Sequence, residues 1–209
     1  MNIEAILTRS PVIPVLTIEQ LEHALPLARA LYAGGLQVLE ITLRTPIAAD
    51  AIRCVRDALP DAIVGAGTLL REDDFVAAEV AGAQFGVSPG LSPHLVQLAQ
   101  RAPFPLLPGV ATASELMIAR EAGFTRFKCF PAEAVGGVPL LKSFAAPFPD
   151  AVFCPTGGIT RESASTYLAL PNVACVGGSW MAPAALLRTG DWVGIEKLAR
   201  DAAALRTQG

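Results

Sequence analysis

Short runs of β-branched and other apolar residues alternate with longer alanine- and leucine-rich stretches along the whole chain. Such alternation of strand and helix patterns is typical of an α/β domain with a parallel sheet. Eight runs have the length and composition of strands and cover Val12–Leu16, Val38–Arg44, Ala62–Thr68, Ala83–Ser88, Pro105–Val110, Arg126–Pro131, Ala151–Thr156 and Val173–Gly177.

The number of strand–helix units indicates a closed barrel. Eight units in 209 residues allow about 26 residues each, which suits a (β/α)8 barrel with few insertions. We expect an extra N-terminal helix over Asn2–Thr8 and a last helix over Asp191–Leu205. No Ser/Gly-rich linker divides the chain, so residues 1–209 are predicted to form a single domain. An open doubly wound sheet is the alternative, although the first strand lacks the Gly-rich turn that such sheets normally carry.

Hydroxyl residues mark where several helices should begin, because a Ser or Thr oxygen can accept a bond from the first free backbone N–H groups of a helix. The predicted helix starts are at Thr17, Thr45, Ser92, Thr112 and Thr160.

Composition and charge exclude several function classes. The chain is 52% hydrophobic and 17% charged with a net charge of -3, and it has no basic run that would bind nucleic acid or an anionic membrane. It lacks a signal-like start and any stretch of ~18 apolar residues, so we expect a cytoplasmic protein. The four cysteines stand singly in apolar runs, which favours buried, reduced thiols. His23 and His94 accompany no carboxylate cluster, so no metal site is predicted.

Polar residues interrupt the second predicted strand at every other position. Glu40, Thr42 and Arg44 share one face, and the apolar residues Leu39 and Ile41 lie on the other. In a parallel barrel, the polar face would point into the interior near the carboxyl end of the strand. A solvent-facing antiparallel strand would show the same alternation and remains an alternative.

Lys128 is the most informative single residue. The chain has three lysines, and Lys142 and Lys197 lie on predicted helix surfaces, whereas Lys128 lies inside a strand. Burial disfavours the charged ammonium form, and the neutral amine is a nucleophile toward carbonyl groups. The alternatives are a lysine that reaches solvent at the strand end and an inert ion pair with Glu40.

Glycine-rich turns follow the last two predicted strands, at Gly157–Gly158 and Gly178–Ser179. Loops at these places in a barrel commonly bind phosphate through bare backbone N–H groups. Thr68 and Ser88 end two other strands and could bond a substrate or simply form turns. A reactive lysine, a glutamate, an arginine and a phosphate cradle together suggest Schiff-base chemistry on a phosphorylated 2-keto acid.

Several motifs resemble one enzyme family over nearly the whole chain. They are VLEITLRT at 38–45, GAGT at 65–68, QFGVSPG at 84–90, FKCFPAEAVGG at 127–137, FCPTGGI at 153–159 and GGSW at 177–180. Together they resemble the 2-keto-3-deoxy-6-phosphogluconate (KDPG) aldolases. The resemblance implies a (β/α)8 barrel, a homotrimer, and cleavage of the phosphorylated keto acid to pyruvate and glyceraldehyde 3-phosphate in the Entner–Doudoroff pathway.

The same resemblance implies roles for individual residues. Lys128 matches the Schiff-base lysine, so no external cofactor is expected, and Glu40 matches the general acid/base. Arg44 matches the residue that binds the pyruvate carboxylate. Other matches are Thr68 and Pro89 in the pyruvate pocket, Thr156 near the substrate hydroxyls, and Gly157, Gly158, Gly178 and Ser179 around the phosphate.

The resemblance also bears on substrate choice. Many such enzymes cleave 4-hydroxy-2-oxoglutarate (KHG) to pyruvate and glyoxylate as well, and the CPTGG motif favours the gluconate over the galactonate substrate. Two other hypotheses stay open: a phosphosugar barrel enzyme that does not depend on Lys128, and a non-catalytic barrel that binds a phosphorylated metabolite.

Overall fold

A computed structural model describes residues 1–205, and residues 206–209 of the predicted domain lie outside this range. The strands are β1 (Val12–Leu16), β2 (Val38–Thr42), β3 (Ile63–Gly67), β4 (Gly86–Val87), β5 (Leu106–Leu107), β6 (Gly109–Val110), β7 (Arg126–Cys129), β8 (Val152–Pro155) and β9 (Val176–Gly178). The helices are α1 (Ile3–Leu7), α2 (Leu21–Ala33), α3 (Ala48–Ala58), α4 (Glu72–Val80), α5 (Pro93–Arg101), α6 (Ala113–Glu121), α7 (Gly137–Ala145), α8 (Arg161–Leu168), α9 (Ala184–Thr189) and α10 (Trp192–Ala203).

The strands form two parallel sheets, which confirms the predicted α/β class. One sheet has the order β5-β4-β3-β2-β1-β9 and the other the order β6-β7-β8. The predicted fifth strand is split at Pro108, which has no N–H to donate. Its two halves pair with different neighbours, β5 with β4 and β6 with β7. Parallel bridges between Phe153 and Val173 and between Thr156 and Gly177 bring β8 beside the β9 segment.

Helix starts agree with the sequence in part. Side-chain oxygens cap α5, α6 and α8 as predicted, at Ser92, Thr112 and Thr160. The predictions at Thr17 and Thr45 are wrong, because α2 and α3 begin further along the chain. These two hydroxyls link the segments after β1 and β2 instead: Thr17 Oγ1 lies 3.1 Å from Thr42 Oγ1 at the end of β2, and Thr45 Oγ1 donates to the Ile18 carbonyl at 2.7 Å.

Buried apolar residues form two clusters on opposite sides of the strands. The larger cluster joins the strands to the surrounding helices and includes Leu39 and Ile41 of β2. The smaller one, which we call the inner cluster, draws on strands of both sheets and on α1, and consists of Ile6, Leu7, Ile13, Val38, Ile63, Phe85, Val87, Leu107, Cys154 and Cys175. In β2, the inner-cluster residue Val38 is followed on the same face by Glu40 and Thr42, so this face becomes polar toward the carboxyl end.

Two further predictions concern the thiols and the membrane. Cys129, Cys154 and Cys175 are buried as predicted, whereas Cys54 is only partly buried. Within residues 1–205, every helix falls short of the length and apolar character that crossing a lipid bilayer requires.

Candidate active site

Lys128 and Glu40 form a buried ion pair at the centre of the inner face. The Lys128 Nζ donates to Glu40 Oε1 at 3.2 Å, and the two side chains are only 4% and 5% exposed. β7 and β2 belong to different sheets, so the pair joins the two sheets across the interior. The strand alternation explains the placement, because Phe127 and Cys129 on either side of Lys128 pack toward the helices.

Residues around the Lys128–Glu40 pair make room for the carboxylate and pack against the ammonium group. A Cβ atom at Gly67 on the adjacent strand would overlap the Glu40 carboxylate, so this position needs glycine. The Phe130 ring lies beside the lysine, with its centroid 5.3 Å from Nζ, and provides a cation–π contact. Burial raises the pKa of the Cys129 thiol to about 12, so this nearby group stays protonated and is a poor nucleophile.

Arg44 lies just beyond the end of β2 and is oriented by Thr68. The Arg44 Nε donates to Thr68 Oγ1 at 3.0 Å. Thr68 has a backbone φ of 65°, which is unusual for a β-branched residue. Strained backbone of this kind is concentrated at functional sites, where it holds a side chain in one orientation.

One cavity of about 220 Å³ collects most of the residues that the sequence predicts. Glu40 and Thr68 do not line the cavity themselves, but each accepts a hydrogen bond from a residue that does: Glu40 from Lys128 and Thr68 from Arg44. Two cationic groups against one carboxylate give a positive field that suits an anionic ligand. The predicted residues that line this cavity are Arg44, Lys128, Thr156, Gly157, Gly158, Gly178 and Ser179.

Pro89 does not line this cavity, and its carbonyl lies against Gly109. Ser88 Oγ donates to the Gly90 carbonyl at 2.7 Å, so its hydroxyl serves the turn. In contrast, Val15, Thr17 and Phe130 line the cavity and are not among the predicted residues. Phe130 has a sequence signal, since it follows Lys128 by two positions and therefore shares its face.

A larger cavity of about 560 Å³ lies beside the first and shares Val15, Thr17 and Ser179 with it. It contains Glu19, His23 and Arg188, but no lysine. Of these two cavities, the buried amine of Lys128 lines the smaller one. Among residues 1–205, no three His, Cys, Asp or Glu side chains are grouped as a metal ion requires.

The parallel α/β fold and the buried amine define an enzyme class in which a lysine reacts with a carbonyl substrate. The family model described as KDPG and KHG aldolase matches residues 3–198. The chain therefore belongs to the KDPG and KHG aldolase family, whose members are carbon–carbon lyases.

Individual relatives agree with this assignment. The KHG/KDPG aldolase of Escherichia coli K12 is 52% identical over 199 residues, 95% of this chain and 93% of that protein. The KDPG aldolase of Legionella pneumophila, solved with pyruvate captured at low pH as a covalent carbinolamine intermediate, has a TM-score of 0.94 and 47% identity, covering 96% and 97% of the two chains. The KDPG aldolase of Zymomonas mobilis ZM4, solved with 3-phosphoglycerate, has a TM-score of 0.91 and 48% identity, covering 97% and 95%.

Proposed function

We propose that this chain is a class I aldolase that cleaves 2-keto-3-deoxy-6-phosphogluconate to pyruvate and glyceraldehyde 3-phosphate. The observation that carries the proposal is the Lys128 amine, which is buried at 3.2 Å from Glu40 and lines a cavity with Arg44 and two glycine turns. The amine itself forms the electron sink, so the reaction needs no external cofactor. The covalent pyruvate adduct of the Legionella pneumophila relative supports this chemistry.

The reaction begins at Lys128. Its ammonium passes a proton to Glu40, and the amine that this frees adds to the C2 carbonyl. Glu40 then returns the proton to the departing hydroxyl, so the carbinolamine loses water and gives a protonated imine. Glu40 then takes the proton from the C4 hydroxyl while the C3–C4 bond breaks, which releases the aldehyde and leaves an enamine of pyruvate. Protonation at C3 and hydrolysis release pyruvate and restore the amine. Glu40 is suited to move these protons because it lies against the reacting nitrogen.

The other residues of the site each bind a different part of the substrate. Arg44 binds the pyruvate carboxylate, oriented by Thr68. The family resemblance assigns Pro89 to the pyruvate pocket as well, and its carbonyl packs against Gly109. Thr156 contacts the substrate hydroxyls. The phosphate binds to backbone N–H groups of Gly157, Gly158 and Gly178 and to the Ser179 hydroxyl, and the 3-phosphoglycerate complex of the Zymomonas mobilis relative supports a phosphate group in such a cavity.

The same pyruvate half-site serves 4-hydroxy-2-oxoglutarate, which gives pyruvate and glyoxylate. The name of the Escherichia coli relative supports this second substrate. Cleavage of it needs Lys128, Glu40 and Arg44 but not the phosphate turns.

We extend the proposal to the architecture and setting. The two sheets form one closed (β/α)8 barrel with α1 as an extra N-terminal helix, and residues 1–209 form a single domain. Two observations support closure: the inner cluster contains residues from both sheets, and the Thr156–Gly177 bridge joins their ends. A homotrimer, a cytoplasmic location and a place in the Entner–Doudoroff pathway complete the proposal and rest on the family resemblance.

Borohydride trapping with pyruvate tests the proposal. We expect reduction to leave a pyruvyl adduct that peptide mass mapping places on Lys128. Lys128→Arg should give no adduct and no turnover, whereas Lys142→Arg, a change on the exposed face of α7, should behave like the wild type. Folded wild-type protein without an adduct would contradict the proposal and favour a phosphosugar enzyme that does not use this lysine.

A further inference from the structure

The glycine turn at Thr156–Gly158, which we call the phosphate turn, is held from one side by the segment that follows Lys128. The Ala132 N–H donates to the Thr156 carbonyl at 2.8 Å, and the Glu133 N–H donates to the Gly157 carbonyl at 3.1 Å. Gly158 lies tight against the Glu133 side chain, because a Cβ atom at Gly158 would come within 2.7 Å of it. The turn is therefore packed directly against Glu133.

The Glu133 carboxylate reaches on to a second element, the helix that leads away from the turn. Tyr167 of α8 is 1% exposed, and its hydroxyl donates to Glu133 Oε1 at 2.8 Å. α8 begins at Arg161, shortly after Gly158, with Thr160 as its N-cap. Neither Glu133 nor Tyr167 lines the catalytic cavity. Burial and the bond to Glu133 both raise the pKa of Tyr167, so its hydroxyl remains a donor at neutral pH.

We propose that the Tyr167–Glu133 hydrogen bond is a positioning device for the phosphate turn, and that it sets affinity for the phosphorylated half of the substrate without touching it. Glu133 packs on Gly158, and Tyr167 lies in the last turn of α8, so the bond fixes the Glu133 side chain against the turn and links α8 to the loop after β7. This inference rests on the proposed aldolase function. The pyruvate half-site around Lys128 and Arg44 lies outside this connection.

Tyr167→Phe removes the hydroxyl and leaves the ring in the core. A net hydrogen bond of this kind corresponds to a change of about three- to tenfold in an equilibrium constant. We expect KM for 2-keto-3-deoxy-6-phosphogluconate and Ki for inorganic phosphate to rise by this factor. Turnover of 4-hydroxy-2-oxoglutarate and borohydride trapping with pyruvate should stay at the wild-type level. Tyr32→Phe is the matched control, since Tyr32 of α2 lies outside this connection.

Changes at Glu133 separate positioning from general damage. Glu133→Gln keeps an oxygen that accepts from Tyr167, so KM should stay at the wild-type level. Glu133→Ala removes this acceptor and should reproduce the effect of Tyr167→Phe. Combining Glu133→Ala with Tyr167→Phe should add little further effect. Equal losses on both substrates, or an unchanged KM and Ki, would overturn the inference. Failure of the wild type to form the pyruvate adduct would instead overturn the aldolase proposal.

Discussion

Replacing Glu40 with glutamine tests proton transfer in the active site. The amide keeps the shape and a hydrogen-bond acceptor at 3.2 Å from the lysine nitrogen but cannot take up a proton under these conditions. General acid/base groups contribute about 100- to 10,000-fold to a rate, or about 3 to 5 kcal/mol of barrier. Among residues 1–205, no Asp or Glu lines the catalytic cavity, and Glu40 is the carboxylate bonded to the lysine that does, so no carboxylate in the cavity can substitute for it. We therefore expect kcat to fall within this range.

The same substitution also tests stability. At 3.2 Å and an effective dielectric constant of about 20, the attraction in the ion pair is about 5 kcal/mol, which is partly offset by the cost of burying two charges. Because glutamine still accepts a bond, we expect a loss of about 3 kcal/mol, at the lower end for a broken buried pair. Urea unfolding measures this loss and defines conditions in which the variant is folded.

The kinetic assay couples pyruvate release to lactate dehydrogenase, and borohydride trapping runs alongside it. Glu40→Gln should lose turnover and still form the pyruvate adduct on Lys128 at equilibrium. Glu121→Gln, an exposed change at the end of α6, is the matched control. A loss of less than about tenfold would refute the reasoning, because general acid/base catalysis contributes more than that. Loss of the adduct together with turnover would show that Glu40 acts by holding the lysine.

Arg44→Ala should raise KM for both substrates, because both carry the carboxylate that this guanidinium binds, and steady-state kinetics on each substrate checks this. Gly158→Ala, at φ 81°, should cost about 1–2 kcal/mol in backbone strain and weaken phosphate binding, measured by urea unfolding and phosphate inhibition against Gly90→Ala, where a Cβ meets open space. The pKa of Cys129, raised from 9.0 to about 12 by burial, keeps the folded thiol protonated while the unfolded thiol ionises. The contribution of this thiol to the free energy of unfolding is therefore fully present below pH 9 and is lost as the pH rises from 9 to about 12. The urea midpoint of the wild type should fall over this interval, and it should fall less in Cys129→Ala.

The strand positions follow closely from the sequence because the pattern of polar and apolar residues is local. In β2, the alternation correctly separates Leu39 and Ile41 from Glu40 and Thr42. Capping signals are less specific, since a threonine hydroxyl bonds any suitable neighbour. Thr17 therefore marks a strand end and not a helix start.

The candidate site shows a similar limit. Lys128 and Glu40 can be brought together from the sequence because each is an ionisable residue inside a strand, on the face opposite the apolar residues that pack toward the helices. The contact between Glu133 and Tyr167 joins a loop to a helix, and nothing in either segment alone specifies the partner. Helical spacing predicts only that Tyr167 faces the core. The split at Pro108 likewise depends on which strands flank it, and that is a property of the assembled sheets.

The short helix α1 has a practical consequence for anyone who redesigns this protein. Ile6 and Leu7 are completely buried in the inner cluster, and Glu4 bonds Arg126 at 2.6 Å, at the start of the strand that carries the reactive lysine. The end of the strands opposite the cavity is thus covered by α1. Libraries for altered substrate preference can therefore vary the turns after β8 and β9, whereas changes in α1 would disturb the inner cluster and the start of the strand that carries Lys128.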